Sequence, residues 1–196
     1  MNARAEPTFV IVPGLRDHVE DHWQTLLAAR LGRVATVPRL GKAVLPLAAW
    51  VEALDRTVKA AAGPVFLVAH SAGVMITVHW ALGAGIRVGG ALLATPPDLV
   101  TPMPEGYPSL ETLAANGWLP TPRQPLPFPA IVVASTNDPL ARFERVKALA
   151  ADWQARLVNV GAVGHLNPAS GHGEWPVALE LLRELGAPVA DGAAVR

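Results

Sequence analysis

Three side chains in this 196-residue chain are of the types that nucleophilic acyl transfer needs: the hydroxyl of Ser71, the imidazole of His165 and the carboxylate of Asp138. A serine hydroxyl attacks poorly near neutral pH, so an imidazole must take its proton during attack and return it to the leaving group. The imidazole in turn needs a carboxylate to fix its tautomer and stabilise its charged form. Each of the three follows an apolar run that reads as a buried strand. Ser71 stands in Ala69-His70-Ser71-Ala72-Gly73, Asp138 in Ser135-Thr136-Asn137-Asp138-Pro139, and His165 in Val163-Gly164-His165-Leu166-Asn167. Around Ser71 a strand passes into a helix with nothing between. Such a turn puts its central residue at positive φ and demands small residues two before and two after it, a demand that Ala69 and Gly73 meet.

Each residue also has a plainer reading. Ser71 could simply cap the following helix. Asp138 could cap a helix opening on Pro139, and Asp98, after a neighbouring strand, is the rival acid. His165 could be a loop histidine bonded to backbone, with His172 as the rival base, although His165 lies nearer a strand end. The oxyanion of an acyl-transfer intermediate needs backbone donors already in place. Ala72, first after the serine, offers one N–H; Leu15, in the loop Pro13-Gly14-Leu15 after the first strand, offers the other. Gly14 would let that loop come close, though a plain Pro-Gly turn is the alternative. Gly14, His70, Pro96 and Trp118 are the candidate walls of a substrate pocket.

These groups must be positioned by strands that alternate with helices. Apolar runs at Thr8 to Val12, Val34 to Val37, Phe66 to His70, Val88 to Thr95, Ala130 to Ser135 and Leu157 to Val160 read as six strands. Between them, Asp21 with Gln24 in capping-box spacing opens a first helix. Pro46 opens a second, whose apolar residues Leu47, Trp50, Val51, Leu54 and Val58 recur at helical spacing. A third follows Ser71, Pro139 opens a fourth, and a last runs from about Glu174 to Leu185. Alternation of this kind predicts an α/β fold: a three-layer sandwich with a mostly parallel six-stranded sheet and helices on both faces, its ligands at the carboxyl ends of the strands. One domain is expected over 1–196, with a loose tail over 187–196. Residues 96 to 129 hold ten of the 19 prolines, a concentration that predicts a lid or binding loop over about 96–127. The six tryptophans fall mostly at core positions, with Trp118 the exception expected to wall a pocket.

Composition narrows the function. Lys plus Arg and Asp plus Glu balance at 16 each, and neither sign forms a run, so no footprint for nucleic acid or an anionic membrane is seen. With no cysteine there is no disulfide, thiolate metal site or cysteine nucleophile. The opening residues carry Glu6 and Pro7 where a signal peptide needs an apolar core, and no run approaches a membrane span, so a cytoplasmic protein is expected. No nucleotide-binding glycine motif or zinc motif occurs, and His18 with His22, four apart, makes a weak metal pair beside Asp21. No cofactor and no metal are expected.

Taken with Pro13-Gly14-Leu15, Asp21-His22-Trp23-Gln24, Pro96-Pro97-Asp98 and Ser170-Gly171-His172-Gly173-Glu174-Trp175-Pro176, the motifs around Ser71, Asp138 and His165 span nearly the whole chain. The sequence resembles the small serine hydrolase family of the α/β-hydrolase fold that includes retinoblastoma-binding protein 9 and its bacterial relatives. The turn at Ser71 resembles that fold's nucleophile elbow, Gly-x-Ser-x-Gly, with Ala69 in place of the first glycine, and the order Ser, Asp, His is the order of its triad. The resemblance implies Ser71, Asp138 and His165 as catalytic triad and a carboxylesterase-like or amidase-like activity without cofactor. The family's pocket-protein motif, Leu-x-Cys-x-Glu, is impossible without cysteine, so that partner is not expected. The expected reaction is cleavage of a small-molecule ester, or an amide, through an acyl-serine. A thioesterase or acyltransferase on the same triad, or a binding module without turnover, is the alternative.

Overall fold

The computed structural model describes residues 5–15, 19–38, 40–41, 45–83, 85 and 87–189. Apolar runs without polar alternation suit strands covered on both faces, and six strands form: β1 (Thr8–Val12), β2 (Arg33–Thr36), β3 (Val65–His70), β4 (Gly90–Ala94), β5 (Ala130–Ala134) and β6 (Arg156–Asn159). Every residue of β1, β3, β4 and β5 is buried, whereas β2 and β6 have exposed ends. They pair in the order β2-β1-β3-β4-β5-β6, so the two polar-ended strands lie at the edges. Every pairing is parallel; the sheet expected to be mostly parallel is wholly so.

Six helices connect the strands: α1 (Trp23–Ala28), α2 (Leu47–Ala60), α3 (Ala72–Ala81), α4 (Leu110–Ala115), α5 (Phe143–Asp152) and α6 (Val177–Glu184). Successive strand residues face opposite ways, and the core divides accordingly. Val10, Val12, Leu67, Ala69, Leu93 and Val132 pack with α2, α3 and α5 around Trp50, Leu54, Met75 and Leu149. Phe9, Ile11, Phe66, Val68, Leu92 and Val133 pack with α1 and α6 around Trp23, Leu27 and Leu182. Helix α3 is apolar all round and, His79 apart, buried, as a helix between the sheet and α2 must be. The chain goes one way from β1 to β2 and the other way from β3 onward. The β1 and β3 ends therefore flank the point where strand order reverses, the usual ligand crevice of such sheets.

Several boundaries differ from those read from sequence. The cap of α1 is His22, not Asp21: its Nδ1 accepts the Gln24 N–H at 3.2 Å. Gln24 is turned inward, its amide donating to the carbonyls of Val68 (3.0 Å) and Val12 (3.3 Å), which ties the ends of β1 and β3 together. Helix α5 starts at Phe143 rather than Pro139, because the Asp138 carboxylate accepts the Leu140 N–H at 2.8 Å in a local turn instead of capping a helix. The Pro-rich excursion contains α4, which the proline spacing hid. Its cap is Ser109, accepting the Thr112 N–H. The expected loose tail begins packed: Ala187 is buried beside α6 and donates to the Leu182 carbonyl at 3.0 Å, while 190–196 lie outside the described residues. All six tryptophans are buried. Among the described residues no helix is long and apolar enough to cross a membrane.

Candidate active site

Strand β3 ends at His70 and α3 begins at Ala72, so Ser71 alone spans the turn. It has φ 57° and ψ −125°, a conformation costly for any residue with a Cβ. Its N–H donates to the Ala94 carbonyl at 3.0 Å and its carbonyl accepts the Val74 N–H at 2.9 Å, which pins the strained residue on both sides. A Cβ on Gly73 would run into the carbonyls of Val12 and Pro13, so only glycine lets α3 start this close to β1. The Ser71 hydroxyl makes no cap bond to α3. It lies 2.8 Å from His165 Nε2 instead.

His165 Nδ1 lies 2.8 Å from Asp138 Oδ2 and 3.0 Å from Oδ1. A carboxylate only accepts, so Nδ1 carries the proton and Nε2 turns its lone pair to the Ser71 hydroxyl, which donates. The imidazole and carboxylate side chains are 5% and 3% exposed, so both work in a poorly solvated setting. The segment carrying the imidazole is itself bent: Gly164 and Leu166 have φ of 65° and 47°. Leu166 is fully buried in the core on the α1 and α6 side, and packing there holds the bend.

Braces that sequence reasoning did not find set these two residues side by side. Asn137 Oδ1 accepts the Gly164 N–H at 2.7 Å and the Ser135 hydroxyl at 2.9 Å, and Ser135 Oγ accepts the Val163 N–H at 3.2 Å. The available signal was a cluster of Ser, Thr, Asn and Asp directly after a strand. His70 had no such signal: its Nε2–H donates to the His165 carbonyl at 2.9 Å, which the Thr95 hydroxyl also reaches at 3.4 Å. The His70 ring lies 4.7 Å from that of His22 and 5.0 Å from that of His165 between centroids. Burial, reinforced by the neighbouring His165 and His22, holds His70 well below the usual histidine range, so it stays a neutral donor.

The rivals do not join this chain of contacts. Asp98 accepts the N–H groups of Val100 (2.9 Å), Thr101 (2.8 Å) and Arg142 (3.1 Å) and the Thr101 hydroxyl (3.0 Å). Burial pushes its carboxyl up, and these bonds more than offset that, leaving it below the usual range. His172 packs edge-on to Trp175 and does not line the cavity at Ser71. His18 lies outside the described residues; His22 is the helix cap, and the described residues hold no acidic, His or Cys cluster of metal-binding size.

A cavity of about 240 Å³ opens beside Ser71. Gly14, His70 and Trp118 line it together with Leu15 and Ala72, and Met75, Leu99, Met103 and Leu113 add an apolar wall. Pro96 does not line it. Thr95 turns at φ 44°, Pro96 is buried beneath, and Pro97 faces the cavity in its place. A Cβ on Gly14 would sit 3.2 Å from Ser71 Cβ and 3.5 Å from its hydroxyl, so glycine keeps the space before the hydroxyl open. Trp118 serves as both wall and core, with its indole N–H donating to the Leu45 carbonyl at 2.8 Å.

Residues 9–184 match the sequence model of the family described as serine hydrolase. The chain belongs to that family. Among solved structures, a protein described as a YdeN-like hydrolase from Pectobacterium atrosepticum is 30% identical, with a TM-score of 0.76 over 92% of this serine hydrolase and 90% of that chain. The ydeN gene product of B. subtilis is 19% identical, with a TM-score of 0.70 over 93% and 99% of the two chains. Est1E from Butyrivibrio proteoclasticus, with ferulic acid bound, is 15% identical, with a TM-score of 0.70 over 95% and 92%. At such identities the latter two speak for the α/β-hydrolase fold alone. No curated protein matches this serine hydrolase in sequence.

Proposed function

We propose that this serine hydrolase cleaves a small carboxylic ester, or an amide, through an acyl-Ser71 intermediate. The observation that carries the reading is the unbroken chain from the Ser71 hydroxyl through His165 to Asp138, each link 2.8 Å at its shortest. Ser71 Oγ attacks the carbonyl carbon while its proton passes to His165 Nε2. Asp138 stabilises the imidazolium, and collapse of the intermediate expels the alkoxide, which takes that proton. Water then repeats the steps on acyl-Ser71, so ester and water become acid and alcohol. The oxyanion would lie between the N–H groups of Ala72, at the positive end of α3, and Leu15, in the loop after β1.

The test is a fluorophosphonate probe and a p-nitrophenyl acetate assay on wild type and Ser71→Ala. The wild type is expected to be labelled once, on Ser71, and to turn over the ester. Ser71→Ala should lose labelling and at least about 10³-fold in kcat. A folded wild type that neither labels nor hydrolyses would refute the proposal.

A further inference from the structure

The cavity is lined by two unlike sets of residues. His165 Nε2 must hand its proton to the leaving group, so the alcohol half of an ester lies on the His165 side, by Asn167, Pro168 and Ala169. The wall left for the acyl half is apolar: Met75, Leu99, Met103, Leu113 and Trp118 line the same cavity and belong to or pack on the core of the α2, α3 and α5 face. Met75 stands one helical turn beyond Ser71, and Leu113 and Trp118 come from the Pro-rich excursion. No Lys, Arg, Asp or Glu lines the cavity among the described residues. A charged acyl tail there would meet no countercharge among the described residues, which is costly.

Resting on acylation of Ser71, we infer that the substrate's acyl group is uncharged and apolar, with a size limit set by Leu113 and Met103. A cavity of about 150 Å³ holds a benzene ring. A site of about 240 Å³ therefore has room for one ring on a short spacer or a straight chain of about four to eight carbons. The two methionines give a wall that adapts its shape to either. Each methylene that the wall covers raises kcat/KM by up to about fourfold, the equivalent of about 0.8 kcal/mol.

The experiment is a series of p-nitrophenyl esters from acetate to dodecanoate, with a benzoate and a glutarate half-ester. kcat/KM is expected to climb with chain length, peak within the range above and fall by dodecanoate. The half-ester should run at least about tenfold slower than the pentanoate ester of equal chain length. Leu113→Trp should shift the optimum to shorter chains. Met103→Trp, on a half-buried loop position, should do the same if the first variant fails to fold. Met103→Arg should raise turnover of the half-ester relative to pentanoate by about tenfold or more. A flat profile, or equal rates for half-ester and pentanoate, with acetate turnover still dependent on Ser71, would overturn the apolar assignment and leave the acyl-serine reading intact. Absence of Ser71-dependent turnover of every ester would remove both.

Discussion

Asp138 and Asp98 follow adjacent parallel strands, and chemistry alone does not rank them. Their partners do. Asp138 gives both oxygens to one imidazole, Oδ1 also accepting the Leu140 N–H, and Asp98 gives its oxygens only to backbone N–H groups and one hydroxyl. Asp138→Asn should therefore keep the fold and lower kcat by about 10³- to 10⁴-fold with little change in KM, because an amide can present its N–H to Nδ1 and favour the wrong tautomer. Asp98→Ala should do the reverse. It leaves three N–H donors without their acceptor, costing about 1 to 3 kcal/mol in urea unfolding, while kcat stays within a few-fold. Kinetics and unfolding of the two variants side by side check this, and a collapse of kcat on losing Asp98 alone would make it the working acid.

At the scale of elements, Ser71, Asp138 and His165 stand on turns and loops whose precision comes from side chains bridging one strand end to the next. Asn137 is the central brace between the β5 end and the His165 segment. Asn137→Ala should let His165 drift from Ser71, and a displacement of about 1 Å costs on the order of 10²-fold in rate. The expected signature is a fall in kcat with KM nearly constant and a parallel slowing of fluorophosphonate labelling. Unchanged labelling would show that the brace is dispensable. The strand and helix alternation was legible in the sequence because buried strands are apolar throughout, and the turn at Ser71 was legible because its steric demand is met within five residues. The braces were not, since Asn137 and Gly164 are 27 residues apart and His70 and the His165 carbonyl 95 apart. Local rules also misplaced the start of α1, where a histidine ring took the cap that Asp21 fits on propensity. They missed α4 because prolines around a six-residue helix outweigh its short apolar face.

For the whole molecule, the packing that builds the site also sets its response to acid. Burial lowers the affinity for protons of His70, His79 and His172, a Trp118 carbonyl bond partly opposing this at His79. A histidine whose folded pKa lies below its unfolded value of about 6.5 binds fewer protons when folded. Each of these groups therefore leaves stability untouched well above pH 6.5 and withdraws it as the pH falls from there toward the folded pKa. His70, fully enclosed, contributes a slope of up to about 1.4 kcal/mol per pH unit across that window. Asp98, held low by its bonds, acts only in stronger acid, below about pH 4, where the unfolded carboxyl takes up its proton first. Urea midpoints should thus be level from pH 8 to 7 and decline from pH 6.5 to 5. In His70→Gln, whose amide keeps a donor for the His165 carbonyl, the decline should be shallower. A wild type as stable at pH 5 as at pH 8, or a His70→Gln slope equal to that of wild type, would mean that His70 takes up its proton without disturbing the packing around Ser71.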